Sequence, residues 1–152
     1  MDWSVFAAGA AAVLAYMIGS SVTVENGSDW YQRLNRPNWQ PPNWVFGVAW
    51  PYHFTLLTVA MWQFAQSDSA RAWSAICWFA CSVATALLWS YLFYIRRSLW
   101  PAAVALVATV CLTPPFMVAV FATSKLTGWL LLPYQIWLAV AASLAVGYAK
   151  LN

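Results

Sequence analysis

Residues 30–50 read WYQRLNRPNWQPPNWVFGVAW. Trp30, Trp39, Trp44 and Trp50 share this stretch with Pro37, Pro41 and Pro42, and Arg33 and Arg36 lie near its start. A connection that only tethered two elements would be rich in glycine and serine and poor in aromatics. This one is stiff and aromatic, so it reads as a structured cover. Asp29 followed by Gln32 predicts a capped short helix starting at Trp30. That helix should end by Arg36, since the residue before Pro37 is pushed out of helical geometry. Pro41 and Pro42 then favour extended backbone up to the next helix.

The surrounding chain decides the solvent. Of 152 residues, 63% are hydrophobic and 7% charged, against roughly 25% charged in an average soluble domain. So few polar groups cannot cover a water-exposed surface, and lipid is the expected environment. Uncharged stretches cover residues 3–22, 45–65, 72–95, 99–122 and 129–149, with His53 the one titratable interruption in the second. Each reaches the roughly twenty residues that a helix needs to cross a ~30 Å hydrocarbon layer. In lipid each backbone amide must bond within its own segment, so these are helices. The expected fold is therefore all-α: one integral membrane domain over 1–152, a five-helix bundle with a structured first loop at 23–44.

Net charge is +3, too small and scattered to suggest nucleic acid. With five spans, Arg33, Arg36, Arg96, Arg97 and Lys150 share one side, and Arg71 and Lys125 the other. The bias places the first loop and C-terminus on the cytoplasmic side if the membrane is a bacterial plasma membrane. The first span has no basic region ahead of it and is longer than a signal-peptide core, so it reads as a permanent helix. Cys77, Cys81 and Cys111 fall mid-span with no carboxylate near, which favours small packing residues over a metal site.

Ala7, Ala11, Ala15 and Gly19 in the first span, and Ala139, Ser143 and Gly147 in the fifth, form stripes of small residues. Ordinary close packing within the chain is the first expectation, and self-association the second. Pro51, Pro114 with Pro115, and Pro133 should kink their helices and splay them apart. Twelve tryptophans are present. Trp3, Trp44, Trp73, Trp100 and Trp129 each begin a span, where indole favours the headgroup boundary. Trp50, Trp89 and Trp137 lie about 9–12 Å deeper along their helices. An indole N–H at that depth needs a partner that lipid cannot offer, so these rings should face inward. Core filler and cavity lining both remain open.

The pattern WY-x2-L-x-[KR]-P-x-W-x-PP-x-W-x-F, matched at residues 30–46, resembles the first loop of the translocator protein family (TspO/MBR, the tryptophan-rich sensory proteins). WSYLFY at residues 89–94 is similar to the family's third helix, and PYQIW at 133–137 with KLN at 150–152 to its fifth. The resemblance covers nearly the whole chain. It implies a five-helix bundle, a homodimer, and a pocket roofed by the first loop that takes porphyrins such as protoporphyrin or haem, and sterols in some members. No obligatory cofactor and no metal are implied. Carried over by position, the ligand-binding residues are Trp30, Trp50 and Trp137, with Trp39 and Phe46 as further lining. His53, Phe54, Trp89 and Phe93 join them as expected neighbours.

Some family members degrade protoporphyrin in light, in which case Trp50 and Trp137 would act as radical relays. The alternatives are a tetrapyrrole carrier or sensor, that photo-oxidative activity, and a structural subunit of a larger membrane pigment–protein complex. Departures from the pattern are Ala86 and Ala145, where asparagines are usual, and Phe54, where a tyrosine is usual. Residues 146–150, VGYAK, fit a loose cholesterol-contact motif, although tyrosine and lysine are expected at a membrane boundary anyway.

Overall fold

The computed structural model describes residues 1–67 and 69–152. Its helices are α1 (Trp3–Tyr31), α2 (Asn43–Ala65), α3 (Ser69–Ser90) running into a π-turn (Tyr91–Ile95), α4 (Leu99–Leu112), α5 (Pro114–Thr123) and α6 (Lys125–Leu151). Five stretches are long and apolar enough to cross a membrane, α3 with its π-turn and α4 with α5 each making one. The protein is an integral, multi-pass membrane protein.

The first span differs most from expectation. It does not stop at 22 but continues unbroken to Tyr31, about 43 Å in all, so its last turns stand beyond the hydrocarbon layer. Hydropathy marks where lipid ends, whereas a helix needs only its backbone ladder. Asp29 and Trp30 lie inside α1, so the separate capped helix at Trp30 does not form, and Gln32 simply closes α1 by donating to Ser28 O at 3.1 Å. The loop is correspondingly shorter, residues 32–42. What holds the extension straight is tertiary. Gly27 sits flush on the π-turn, where an added Cβ would lie 2.6 Å from Tyr94 Cβ and 2.9 Å from its carbonyl oxygen. A mid-helix glycine costs about 1 kcal/mol in propensity but here permits that contact.

The prolines of the fourth span act where expected. The fourth span breaks at Thr113, and Pro114 opens α5, where its missing N–H is no loss. Pro51 and Pro133 lie inside α2 and α6. Pro42, at φ −56° and ψ 148°, holds the extended conformation that delivers the chain to α2. At the opposite end, Asp2 caps α1, accepting from Ser4 N at 3.0 Å and Val5 N at 3.3 Å. The Ser4 hydroxyl and the Val5 amide hold its carboxyl below the ordinary range. The expected 66–71 connection includes Asp68, outside the described residues.

The spans close into a ring in the order α1, α2, α6, α4–α5, α3 and back to α1, and the α2–α6 seam is its sparsest. Hydroxyl pairs tie two of the other seams, α1–α3 and α3–α4: Thr23 with Ser90, and Thr85 with Thr109 at 2.9 Å. The main core, with Phe64, Phe79, Phe116, Leu131 and Tyr134 fully buried, fills the half away from the loop. Trp3, Trp44, Trp73, Trp100 and Trp129 are all exposed near span starts, as their boundary positions predicted.

Two packing expectations are corrected. Ala7, Ala11, Ala15, Ala139 and Ser143 face outward, and only Gly19 and Gly147 of the small-residue stripes pack within the chain. The inward face of α1 is instead Val5, Gly9, Val13 and Tyr16. The three cysteines are exposed as well rather than packed. Spacing alone gives a stripe but not the direction it faces. Gly27→Leu should lower the melting temperature in detergent through an overpacking cost of about 1–3 kcal/mol. Gly47→Ala, where an added Cβ meets nothing within 4 Å, should leave it unchanged or raise it; equal behaviour of the two variants contradicts the packing described.

Candidate functional site

The loop is fastened across the end of the bundle. Asn35 N donates to Asn152 Oδ1 at 2.8 Å, and Asn152 Nδ2 donates back to Asn35 O at 3.1 Å. Asn35 Nδ2 also reaches Leu151 O at 3.3 Å. Deeper in, the Tyr148 hydroxyl bonds Gln40 Oε1 and lies 3.1 Å from the Tyr31 hydroxyl, which accepts from Gln40 Nε2 at 3.1 Å. Gly147 lets the cover down onto α6: a Cβ there would lie 2.7 Å from Pro37 Cγ and 2.8 Å from Trp39 Cζ2.

Beneath this cover the expected site residues form two aromatic groups. In the first, Phe93 is buried at the centre, with Trp30 at 5.5 Å and Trp89 at 5.9 Å between ring centroids. Tyr31 and Tyr148 close its other sides. The π-turn carries Phe93; its wider winding re-aims side chains within a helix that otherwise looks regular. Arg97, at a positive φ of 56°, places its guanidinium 5.8 Å from the Trp30 ring.

The second group belongs to α2 and α6. Trp50 stacks on Phe54 at 5.5 Å and meets Tyr16 of α1 edge-on at 5.5 Å. His53 is 2% exposed, in a box of Trp50, Tyr52, Tyr134 and Trp137 rings. Phe46 packs edge-on against Trp137 at 5.0 Å. Trp39 joins neither group; it lies over Gly147 and is 57% exposed.

Polar atoms in these groups that are buried with no hydrogen-bond partner among the described residues include Trp89 Nε1, Trp137 Nε1, His53 Nδ1 and the Tyr134 hydroxyl. An indole nitrogen is only a donor, and leaving a buried donor unmatched costs about 1–3 kcal/mol. Ala145 contributes to the reason for Trp89. It is buried in the cluster against which Trp89 packs, and a methyl group offers no acceptor where an amide side chain would. Ala86 is buried in the main core. On the outer face of the α2–α6 seam lies an apolar cleft of about 400 Å³, whose lining includes Trp44, Val48, Tyr52, His53, Ile136 and Trp137.

The sequence model of the TspO/MBR family matches residues 6–151. The chain belongs to the TspO/MBR family. It is 29% identical to the tryptophan-rich sensory protein of Cereibacter sphaeroides, over all of this chain and 94% of that protein. The translocator protein of Sus scrofa is 30% identical over 86% of this chain and 79% of its own length. Protein CrtK of Rhodobacter capsulatus is 26% identical, with 88% and 85% covered. The resemblance noted in the first loop thus extends along the whole TspO/MBR bundle.

Sequence reading missed Asn35, Gln40, Tyr148 and Asn152, which fasten the cover, and the π-turn that carries Phe93. Nothing local marks a residue whose partner is over a hundred positions away. Asn152→Ala removes an acceptor from the Asn35 amide, so hydrogen exchange there should quicken by about fivefold for a bond worth about 1 kcal/mol. Unchanged exchange at Asn35 would show that the cover is held without this pair.

Proposed function

We propose that this TspO/MBR protein binds a porphyrin-type tetrapyrrole, protoporphyrin or haem, in its aromatic interior beneath the first loop, and that it works as a homodimeric carrier or sensor. The observation that carries the reading is the pair of buried, unmatched indole donors of Trp89 and Trp137 within aromatic groups under a fastened cover. A flat guest with ring faces and acceptor atoms supplies what such groups lack: stacking worth about 0.5–1.5 kcal/mol per ring pair beyond area burial, and a partner for each N–H. Arg36 and Arg97, on the loop side, are placed to receive carboxylates by charge-assisted bonds. The basic bias of that side supports a cytoplasmic loop in a bacterial plasma membrane.

The apolar replacements at Ala86, Ala145 and Phe54 favour a guest held by stacking more than by polar contacts, and leave sterol-like guests as a second class. Trp50, stacked on Phe54 and touching Tyr16, and Trp137, beside His53, are the rings that a photo-oxidative reaction would use.

Tryptophan-fluorescence titration with protoporphyrin in nanodiscs tests the reading. Binding should be submicromolar to micromolar and weaken at least about tenfold in the Trp50→Phe/Trp137→Phe double variant, a loss of about 1.4 kcal/mol. Unchanged affinity would favour a structural subunit, which mild-detergent purification would then reveal as stoichiometric association with a larger complex. Aerobic illumination separates carrier from photo-oxidase: porphyrin absorbance that fades no faster than in the presence of albumin rules out the second.

A further inference from the structure

Two cavities have lining residues at the loop end of α2. One, of about 350 Å³, is formed by the loop itself and includes Arg36, Gln40 and Asn43 in its lining. The other is the 400 Å³ apolar cleft on the α2–α6 seam, which begins at the next residue, Trp44. From Trp44 to His53 the cleft follows nine residues of helix, about 14 Å, from headgroup level towards the membrane interior. Its rim faces outward: Trp44 is 70% exposed, Val48 63% and Ile136 58%. Its floor is inward: His53 and Trp137 line it and also belong to the α2–α6 aromatic group.

The seam has reasons to be open here. It is the sparsest contact of the ring, and Pro51 and Pro133 leave each of its helices one amide donor short. One clasp closes its far end, the Tyr52 hydroxyl donating to Leu130 O at 2.6 Å. The cover offers a poorer route. It is fastened through Asn35, Gln40, Tyr148 and Asn152, and it rests on Gly147 without spare room. A guest dissolved in hydrocarbon would also have to leave the hydrocarbon to reach it from outside.

We propose that the α2–α6 cleft is a lateral doorway through which a flat amphiphile passes edge-on between the bilayer and the aromatic interior. Its apolar body slides between Val48 and Ile136, while its anionic rim stays at headgroup depth beside Arg36. Charge and apolarity match such a molecule: apart from His53 and the Tyr52 phenol no ionisable group lines the cleft, and Arg36 lines the loop cavity that ends at Asn43, the residue before the cleft's first, Trp44. A compact ion, or a guest with charge at both ends, finds no match. The proposal rests on the tetrapyrrole reading of the interior site, and its test separates the two.

The doorway can be closed reversibly. In a background with Cys77, Cys81 and Cys111 replaced by alanine, Val48→Cys and Ile136→Cys are bridged by a short cleavable bis-thiol cross-linker in phosphatidylcholine nanodiscs. Protoporphyrin association and dissociation are followed by stopped-flow tryptophan quenching. A doorway predicts that both rate constants fall together, by at least about tenfold as for a gated site, with equilibrium affinity unchanged and rates restored on cleaving the linker. Ala49→Trp, which fills the cleft without chemistry, should slow both rates in the same sense. A bridge across Asn35→Cys and Asn152→Cys, locking the cover, should leave them unchanged.

Unaltered rates in the Val48–Ile136 bridge, or slowing by the cover bridge instead, would overturn the doorway while leaving the tetrapyrrole site standing. A faster dissociation with weaker affinity would also overturn it, since the cleft would then be a wall of the site. No binding of protoporphyrin by the unmodified protein would overturn both.

Discussion

Where residues 37–39 cross α6, Gly147 removes the side chain that would otherwise hold the loop away from the helix. The rest of the loop end follows from this approach. With the proline-stiffened cover at backbone distance, Gln40 reaches the Tyr148 and Tyr31 hydroxyls, and Asn35 reaches the last residues of α6. Tyr31 and Tyr148 in turn wall in Phe93. Any Cβ at 147 would act on that whole chain of contacts, because packed side chains transmit a displacement instead of absorbing it.

The two halves of the bundle are built on different terms. Away from the loop, Phe64, Phe79, Phe116 and their neighbours fill a dry core in which large apolar rings satisfy one another. Towards the loop more of the rings carry polar atoms, and Trp89, Trp137 and His53 keep some of theirs unmatched, as are the Tyr134 hydroxyl and Gln63 Oε1 in the other half. A sequence selected for stability alone would match or remove such donors, since each unmatched one weakens the fold by about 1–3 kcal/mol.

The ring of helices is asymmetric in the same sense. Hydroxyl pairs tie α1 to α3 and α3 to α4, and Gln135 of α6 donates to Val110 O of α4 at 3.1 Å. The α2–α6 seam depends instead on aromatic edges and the single Tyr52 clasp. Ring contacts are non-directional beside hydrogen bonds and part at lower cost in a membrane, where lipid chains replace them almost evenly.

Composition alone determined the solvent and therefore the architecture, because a chain with 7% charged residues and five long apolar stretches can satisfy its backbone in lipid only as helices. Residues 30–46, read as a pattern, were enough to point to the family, and the proline break at Thr113 was legible because its cause is local. Tertiary structure decided the rest. It carried α1 past its apolar stretch to Tyr31, since Gly27 against the π-turn stabilises helix where hydropathy sees only a polar loop. It turned Ala7, Ala11 and Ala15 outward, and split the expected aromatic site into a Phe93 group and an α2–α6 group, leaving Trp39 outside both. Periodicity gives the spacing of a face, but which neighbour that face meets depends on contacts between residues far apart in the chain.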